Sequence, residues 1–477
     1  MQPSRRIHLI GICGTAMASL AGMLQLKGHR VSGSDQAAYP PMSDQLRRLA
    51  IPIAEPFAES NLQPAPDLVI VGNAISRGNA ELEYVLDQRI PFTSLARIVH
   101  DEFVAGHESL VVAGTHGKTT TTSLLAWIYE VASRQNPELA PSFLIGGVAE
   151  NFGTSFQLRQ GRPFIIEGDE YDTAFFDKGP KFMHYFPDAI ILTHVEFDHA
   201  DIYRDLDAVK TAFKRLVNLV PRRGRIVAFD AAENVSECVS RAMCAVERYG
   251  FSANSAWRAV DFRVEDGISR WQVLRNGEAW AQLSLPMPGE HNALNATAAA
   301  ALAAGQGVPL EPIIEALATF RSVRRRLEVR AEVDGITIID DFAHHPTAIR
   351  ETLRALRTAY AGRRLWAVLE PRSNTLRRNV FERELVDSLS LADRVIVAGV
   401  FHSEKVPELE RLHPENVVAA LRSGGHDASL FENTDAIVTS LAPRLASGDV
   451  VAILSNGGFD GIYEKLPAAL RNRCQEA

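Results

Sequence analysis

Cysteine is scarce, with only Cys13, Cys238, Cys244 and Cys474 in 477 residues and no C-x-x-C spacing. That scarcity excludes a disulfide framework and a thiolate zinc site, and leaves ordinary thiols. No run approaches the roughly 18–20 uninterrupted apolar residues of a membrane helix, and one of the longest, Ala298 to Ala304, is mostly alanine. The opening Met-Gln-Pro-Ser-Arg-Arg passes straight into a short strand-like run ending at Ile10, without the apolar segment and cleavage site of a secretory signal. A cytoplasmic chain is expected. Basic excess is also missing: Lys plus Arg number 50 against 58 Asp plus Glu, a net charge of −8, which argues against a nucleic-acid-binding surface. Neither a membrane nor an obligate protein partner is implied, and no short repeat or low-complexity segment occurs.

What is present is apolar material for several cores. Hydrophobic residues make up 46% and charged residues 23%, close to globular averages, and the length suggests about three domains at roughly 100–200 residues each. Short apolar runs recur at Ile7–Ile10, Leu68–Val71, Leu110–Val112, Phe164–Ile166, Ala189–Leu192, Ile336–Ile339, Leu365–Leu369, Val395–Val397 and Val450–Leu454. Runs of this length, apolar on both faces and alternating with helical segments, are how parallel strands buried between helices read in sequence. The fold class is α/β. Helical faces follow some of them: Met17, Leu20 and Leu24 in one case, Leu124, Leu125 and Ile128 in another. From about Val260 to Leu285 a looser alternation predicts antiparallel strands extending the middle sheet. The loop near Ala105–Ser109 and the basic Arg321–Arg326 divide the chain into expected domains 1–107, 108–322 and 323–477.

The strongest local signal is the run from Ser109 through Gly114-Thr115-His116-Gly117-Lys118-Thr119-Thr120, an apolar strand, a glycine loop and a helix start. Glycines there let backbone N–H groups face a phosphate, Lys118 brings a point charge to the outer phosphates, and Thr119 suits Mg²⁺. Full Walker A spacing would place its first glycine at Val112, so this is the shorter G-T-x-G-K-T form of a nucleoside triphosphate loop. Two acidic clusters, Glu167-Gly168-Asp169-Glu170-Tyr171-Asp172 and Glu196-Phe197-Asp198-His199-Ala200-Asp201, each follow an apolar strand. In a parallel sheet both emerge at the carboxyl edge beside the loop, where acids and imidazole suit a magnesium bridging phosphates.

Other stretches are less specific. Gly11-Ile12-Cys13-Gly14-Thr15 with Ser34-Asp35 has the interval of a dinucleotide fold, although Cys13 breaks the G-x-G, and a tight turn before a helix explains it as well. Arg324-Arg325-Arg326 reads as a solvated patch or as an arginine reaching phosphates. Asp340-Asp341-Phe342-Ala343-His344-His345-Pro346 follows a strand, and spacing leaves a metal site and a hydrogen-bonded turn both open.

These motifs, in this order, resemble the Mur ligase family, the ATP-dependent amide ligases of bacterial cell-wall synthesis, across the whole chain. Gly289-Glu290-His291-Asn292-Ala293-Leu294-Asn295 belongs to the same pattern. The resemblance implies Rossmann-like N- and C-terminal domains around a central ATPase domain, with ATP and Mg²⁺ as cofactors. It implies that Lys118 meets the γ-phosphate, that Thr119, Glu170 and His199 serve magnesium, and that His291, Asn292, Asn295, Arg326, Asp340 and His345 serve the nucleotide with Gly114 to Thr120. Gly11, Cys13, Gly14, Thr15, Ser34, Asp35 and Asn73 would hold a UDP-sugar; Arg372, Ser373, Asn374, Ser455 and Asn456 would hold peptide carboxylates, for which an arginine fork is the natural partner. Within the family, Tyr171 to Lys178, Glu370 to Thr375 and Ser455 to Phe459 look like the branch that joins UDP-N-acetylmuramate to a murein tripeptide, rather than the branch that adds L-alanine. Several members carry a carbamylated lysine near the second magnesium; Lys214 lies at a plausible distance and is expected to be an exposed helical residue. An NAD-dependent oxidoreductase resting on Gly11, Gly14 and Asp35 leaves the phosphate loop and both acidic clusters unexplained, and a non-catalytic nucleotide-binding regulator predicts binding without turnover.

Overall fold

Each apolar run of the sequence becomes a strand, and the strands assemble into three largely parallel sheets. The computed structural model describes residues 3–38 and 42–476, with side chains through 473; the thiol of Cys474 lies outside the described residues. The N-terminal sheet runs Ile53–Ala54, Arg30–Ser34, Arg6–Ile10, Leu68–Val71, Phe92–Ser94, all parallel. Helix Thr15–Leu26 covers one face, burying Met17, Leu20 and Leu24.

The central sheet has ten strands. Its parallel middle runs Ser142–Ala149, Pro163–Gly168, Glu108–Ala113, Ala189–Leu192, Arg225–Phe229, Ala245–Gly250. Beyond it, Trp257–Glu265, Ile268–Arg275 and Glu278–Leu285 form the antiparallel extension that the alternation predicts, with Trp257, Trp271 and Val273 turned inward. Helices Lys118–Ser133 and Glu290–Gly305 pack together beneath the sheet, the second built of alanines that let the two backbones approach. The C-terminal sheet runs Glu328–Val333, Ile336–Asp341, Val450–Leu454, Leu365–Leu369, Arg394–Ala398, Asp427–Phe431, antiparallel only at its first edge.

Ser322, Arg325 and Leu327, in the link between the second and third sheets, all have φ between 51° and 74°. L-residues rarely adopt that conformation, so it must be over-determined by contacts. Here Val323 bridges to Ala149, Arg324 N donates to Val148 O at 3.1 Å, and Leu327 N donates to Asp341 Oδ2 at 2.8 Å. The register at the centre positions the site: Ala113 pairs with Gly168 on one side and Leu192 on the other. The glycine loop therefore leaves the sheet between the two acidic clusters.

Candidate functional site

Gly117 takes φ +78° as the N-terminal cap of helix Lys118–Ser133, and a Cβ there would lie 2.7 Å from Asn295 Oδ1. A glycine is required at that approach. Lys118 folds back over the loop: its Nζ donates to Gly114 O at 2.8 Å and to Glu170 Oε1 at 3.0 Å. Glu170 Oε1 also accepts from His199 Nε2 at 3.0 Å, and Tyr203 OH donates to Glu170 O at 2.7 Å. Lysine, glutamate and histidine from three separate loops thus share one carboxylate.

The electrostatics follow from burial against charge. Burial disfavours the Lys118 ammonium, yet Glu170, Asp169 and Glu167 outweigh it and hold it cationic. Burial likewise opposes ionisation of Glu170, but Lys118 and His199 keep it below the usual carboxylate range, and His199 is correspondingly held above that of a free imidazole. Asp169 is drawn down to about 2, because Lys181 and Lys118 overcome its burial. Glu167 goes the other way: burial raises it despite Lys118 and the Gly146 N–H at 2.9 Å. Burial set against fixed charge thus drives carboxylates a few residues apart in opposite directions, a pattern that recurs at functional sites.

The same residues fit a divalent cation. Thr119 Oγ1 sits 3.0 Å from Glu167 Oε1, a hydroxyl and an acid poised together, while Glu170 Oε2 is buried 2.8 Å from Lys118 Nζ without an aligned hydrogen bond. Hard oxygen ligands of this kind suit Mg²⁺. Glu167 enters this set beside Thr119, Glu170 and His199; the sequence showed it only as one acid among several. Lys214 lies elsewhere, on helix Leu206–Leu219, paired with Glu237 at 2.6 Å.

Two cavities flank the trio. One, of about 500 Å³, is lined by His116, Gly117, Asn292, Asn295, Arg326 and Asp341. Asn292 Nδ2 donates to Pro288 O at 2.8 Å; His291 lines the same cavity, with burial lowering its pKa and Nδ1 unpartnered. Asp341, not Asp340, faces this space. The two are consecutive in strand Ile336–Asp341 and point to opposite faces, and Asp340 pairs with Arg325 Nε at 3.2 Å. Arg325 also donates to Ser455 O and Gly457 O, each at 2.7 Å, which leaves Arg326, over the Phe342 ring at 4.9 Å, as the arginine of this run that lines the cavity, alongside Arg350 from the following helix. His345 reaches Phe197 O at 3.2 Å and lies 4.5 Å, ring to ring, from His116. Glu196 Oε2 gathers His116 Nε2 at 3.1 Å and Thr347 Oγ1 at 2.7 Å, so this group reads as a hydrogen-bonded seam between domains.

The second cavity, about 610 Å³, is lined by Gly11, Gly14, Thr15, Asn73, Tyr171 and Asn374 among others. Cys13, Ser34 and Asp35 stand outside it. Asp35 Oδ2 accepts from the Cys13 backbone N at 2.9 Å, so the acid ties down its own glycine loop, and Ser34 donates to buried Glu81. Among the expected peptide contacts, Arg372 lies over the Phe401 ring at 3.7 Å, Ser373 Oγ accepts from Leu376 N at 3.0 Å, and Asn374 donates to Asp201 at 2.7 Å. Ser455 Oγ donates to Glu370 Oε2 at 2.5 Å, and Asn456 Oδ1 is buried without a partner. The arrangement joins a glycine loop and its lysine to a buried acid–imidazole centre between two cavities, a layout suited to group transfer between two bound substrates.

Comparison with known proteins gives three family matches: the Mur ligase family catalytic domain over residues 6–103, the Mur ligase middle domain over 112–303, and the Mur ligase glutamate ligase domain over 325–457. The chain is 40% identical over 473 residues to the UDP-N-acetylmuramate–L-alanyl-γ-D-glutamyl-meso-2,6-diaminoheptandioate ligase of Escherichia coli K12, covering 99% of this chain and 100% of that one. A murein peptide ligase from Psychrobacter arcticus superposes with a TM-score of 0.73 at 36% identity, over 98% and 99% of the two chains. A UDP-N-acetylmuramate–alanine ligase from Thermotoga maritima superposes at 0.80 with 25% identity, over 99% of both.

Proposed function

The chain belongs to the Mur ligase family, and from that premise we propose that it is the ATP-dependent ligase joining the muramate carboxylate of UDP-N-acetylmuramate to L-alanyl-γ-D-glutamyl-meso-diaminopimelate. The observation that carries the proposal is the shared carboxylate of Glu170, which binds Lys118 of the phosphate loop and His199 between the two cavities. The tripeptide rather than L-alanine is favoured by full-length identity to the tripeptide ligase and by the stretches Tyr171 to Lys178 and Glu370 to Thr375.

The proposal assigns UDP-sugar binding to residues 1–107, ATP to 108–322 and the amino substrate to 323–477. A carboxylate is a poor electrophile until one oxygen becomes a leaving group. A muramate oxygen attacks the γ-phosphorus of ATP, ADP departs, and an acyl phosphate results. The free amine of the peptide then attacks the carbonyl carbon, phosphate leaves with the electrons of the C–O bond, and the extra N–H proton is lost to give the amide. Lys118 meets the γ-phosphate and offsets charge that develops on it. Thr119 with Glu167, and Glu170 with His199, would hold Mg²⁺, which when bound neutralises phosphate charge. Asn292, Asn295 and Arg326 bind the nucleotide, and Arg372 offers a fork to a peptide carboxylate. Closing the cavities excludes water that would hydrolyse the acyl phosphate.

Phosphate release from ATP with Mg²⁺ and UDP-N-acetylmuramate, comparing the tripeptide with L-alanine, tests the reading. Release with the tripeptide alone is expected. Release with L-alanine alone would move the chain to the alanine-adding branch.

A further inference from the structure

His199 has φ +56°, a left-handed backbone that a non-glycine residue keeps only when its neighbours hold it. The groups that hold it come partly from another domain. Asp198 Oδ1 accepts from the His199 backbone N at 2.7 Å and from Thr375 Oγ1 at 2.6 Å. The same Thr375 oxygen accepts from Ala200 N at 3.2 Å. One hydroxyl therefore spans the left-handed residue, donating on its N-terminal side and accepting on its C-terminal side. Thr375 is 2% exposed, so water does not compete for these bonds. The neighbouring Asn374 adds a bond to Asp201 at 2.7 Å.

Thr375 lies in the loop 370–378 that follows strand Leu365–Leu369 of the C-terminal sheet, the loop that also carries Arg372, Ser373 and Asn374. His199 belongs to the central domain, with its imidazole on Glu170. We propose that Thr375 is a positioning residue: its hydroxyl clasps the 198–200 backbone when the C-terminal domain seats, and so places His199 against Glu170 only when the amino-substrate loop is in position. The inference rests on the ligase reading above. It gives the enzyme a physical reason to form acyl phosphate mainly when the acceptor domain has closed, since an unclasped His199 is free to leave its strained conformation.

The test compares Thr375→Val, which keeps shape and loses the hydroxyl, with Thr375→Ser, which keeps the hydroxyl. In the full chain with ATP, Mg²⁺, UDP-N-acetylmuramate and tripeptide, Val is expected to lower kcat by about 10- to 100-fold, the scale of a misplaced reacting group, with KM for ATP and for UDP-N-acetylmuramate within about twofold of wild type. Ser is expected to stay within about threefold of wild type. Amide exchange across residues 196–201 should quicken in Val and not in Ser. Should Val fail to fold, Thr375→Ala against Thr375→Ser makes the same comparison. Wild-type kcat in Val, or an equal loss in Val and Ser, overturns the proposal. A wild-type chain inactive on the tripeptide would instead overturn the tripeptide-ligase reading, and the exchange arm alone would then decide the clasp: equal exchange in Val and Ser overturns it.

Discussion

His345 allows the seam between the central and C-terminal domains to be weighed by pH. Its Nε2–H donates to Phe197 O at 3.2 Å across the seam, and its Nδ1 accepts from Thr347 N at 3.2 Å as the N-cap of helix Pro346–Ala359. Both nitrogens are committed in the neutral ring, and protonation would remove the cap acceptor. Burial first, then the nearby His116, lower the pKa from 6.5 to about 3, against the opposing pull of Asp198 and Glu196. The unfolded chain takes up this proton below about pH 6.5 and the folded chain does not until about pH 3. Stability therefore falls as pH drops through 6.5 and continues to fall towards 3. At pH 5 the interval is about 1.5 pH units, and at 1.36 kcal/mol per unit the cost is about 2 kcal/mol, against almost nothing at pH 7. His345→Asn retains a good N-cap and does not titrate. Exchange protection of the helix 346–359 amides, corrected for intrinsic rates, should drop by about 2 kcal/mol more in wild type than in His345→Asn between pH 7 and pH 5. His194, lowered to about 4 by burial, does not owe its shift to His345 and cancels between the chains, while Glu196 and Asp198, which His345 helps to hold far below the usual carboxylate range, stay ionised over this interval. Equal losses in the two chains would refute the reasoning.

The neighbouring arginines should separate by phenotype. Arg325→Lys keeps the charge beside Asp340 but loses the fork that also reaches Ser455 O and Gly457 O, and should cost about 1.5–3 kcal/mol in thermal or urea unfolding, the scale of lost charge-assisted hydrogen bonds, whereas Arg326→Lys should leave the melting temperature nearly unchanged and raise KM for ATP. Lys214→Ala removes only a solvent-exposed pair with Glu237, so the melting temperature should be nearly unchanged, and activity should be the same with and without bicarbonate; a bicarbonate-dependent loss, or a carbamate mass on the wild-type chain, would show that lysine to be modified.

The sequence makes the chemistry legible wherever it is local. The glycine loop with its lysine and the acids after two apolar strands are each local in the chain, and the buried parallel strands advertise themselves as doubly apolar runs, so α/β class, the loop and the two acidic clusters can be read directly, while the choice of Glu170 and His199 within those clusters follows from the family resemblance. What escapes is whatever depends on the face a side chain takes or on a partner far along the chain. Asp340 and Asp341 are indistinguishable as letters, yet one turns to Arg325 and the other to the cavity lined by Gly117, Asn292 and Arg326, because strand neighbours alternate. Asp35 has the spacing of a ribose-binding acid, and in the folded chain its Oδ2 accepts from the Cys13 N–H of its own loop, a contact that spacing alone does not reveal. Glu167 looked like one acid of a cluster until Thr119 and Gly146 converged on it. Thr375 is the extreme case. It lies 176 positions from His199, carries no charge and entered the sequence reading only as the last letter of the stretch Glu370 to Thr375, and the role proposed for it arises only where a hydroxyl from one domain meets a left-handed turn in another. Catalytic groups are chosen for their chemistry and so show in composition; the groups that place them are chosen for geometry, which only the folded chain displays.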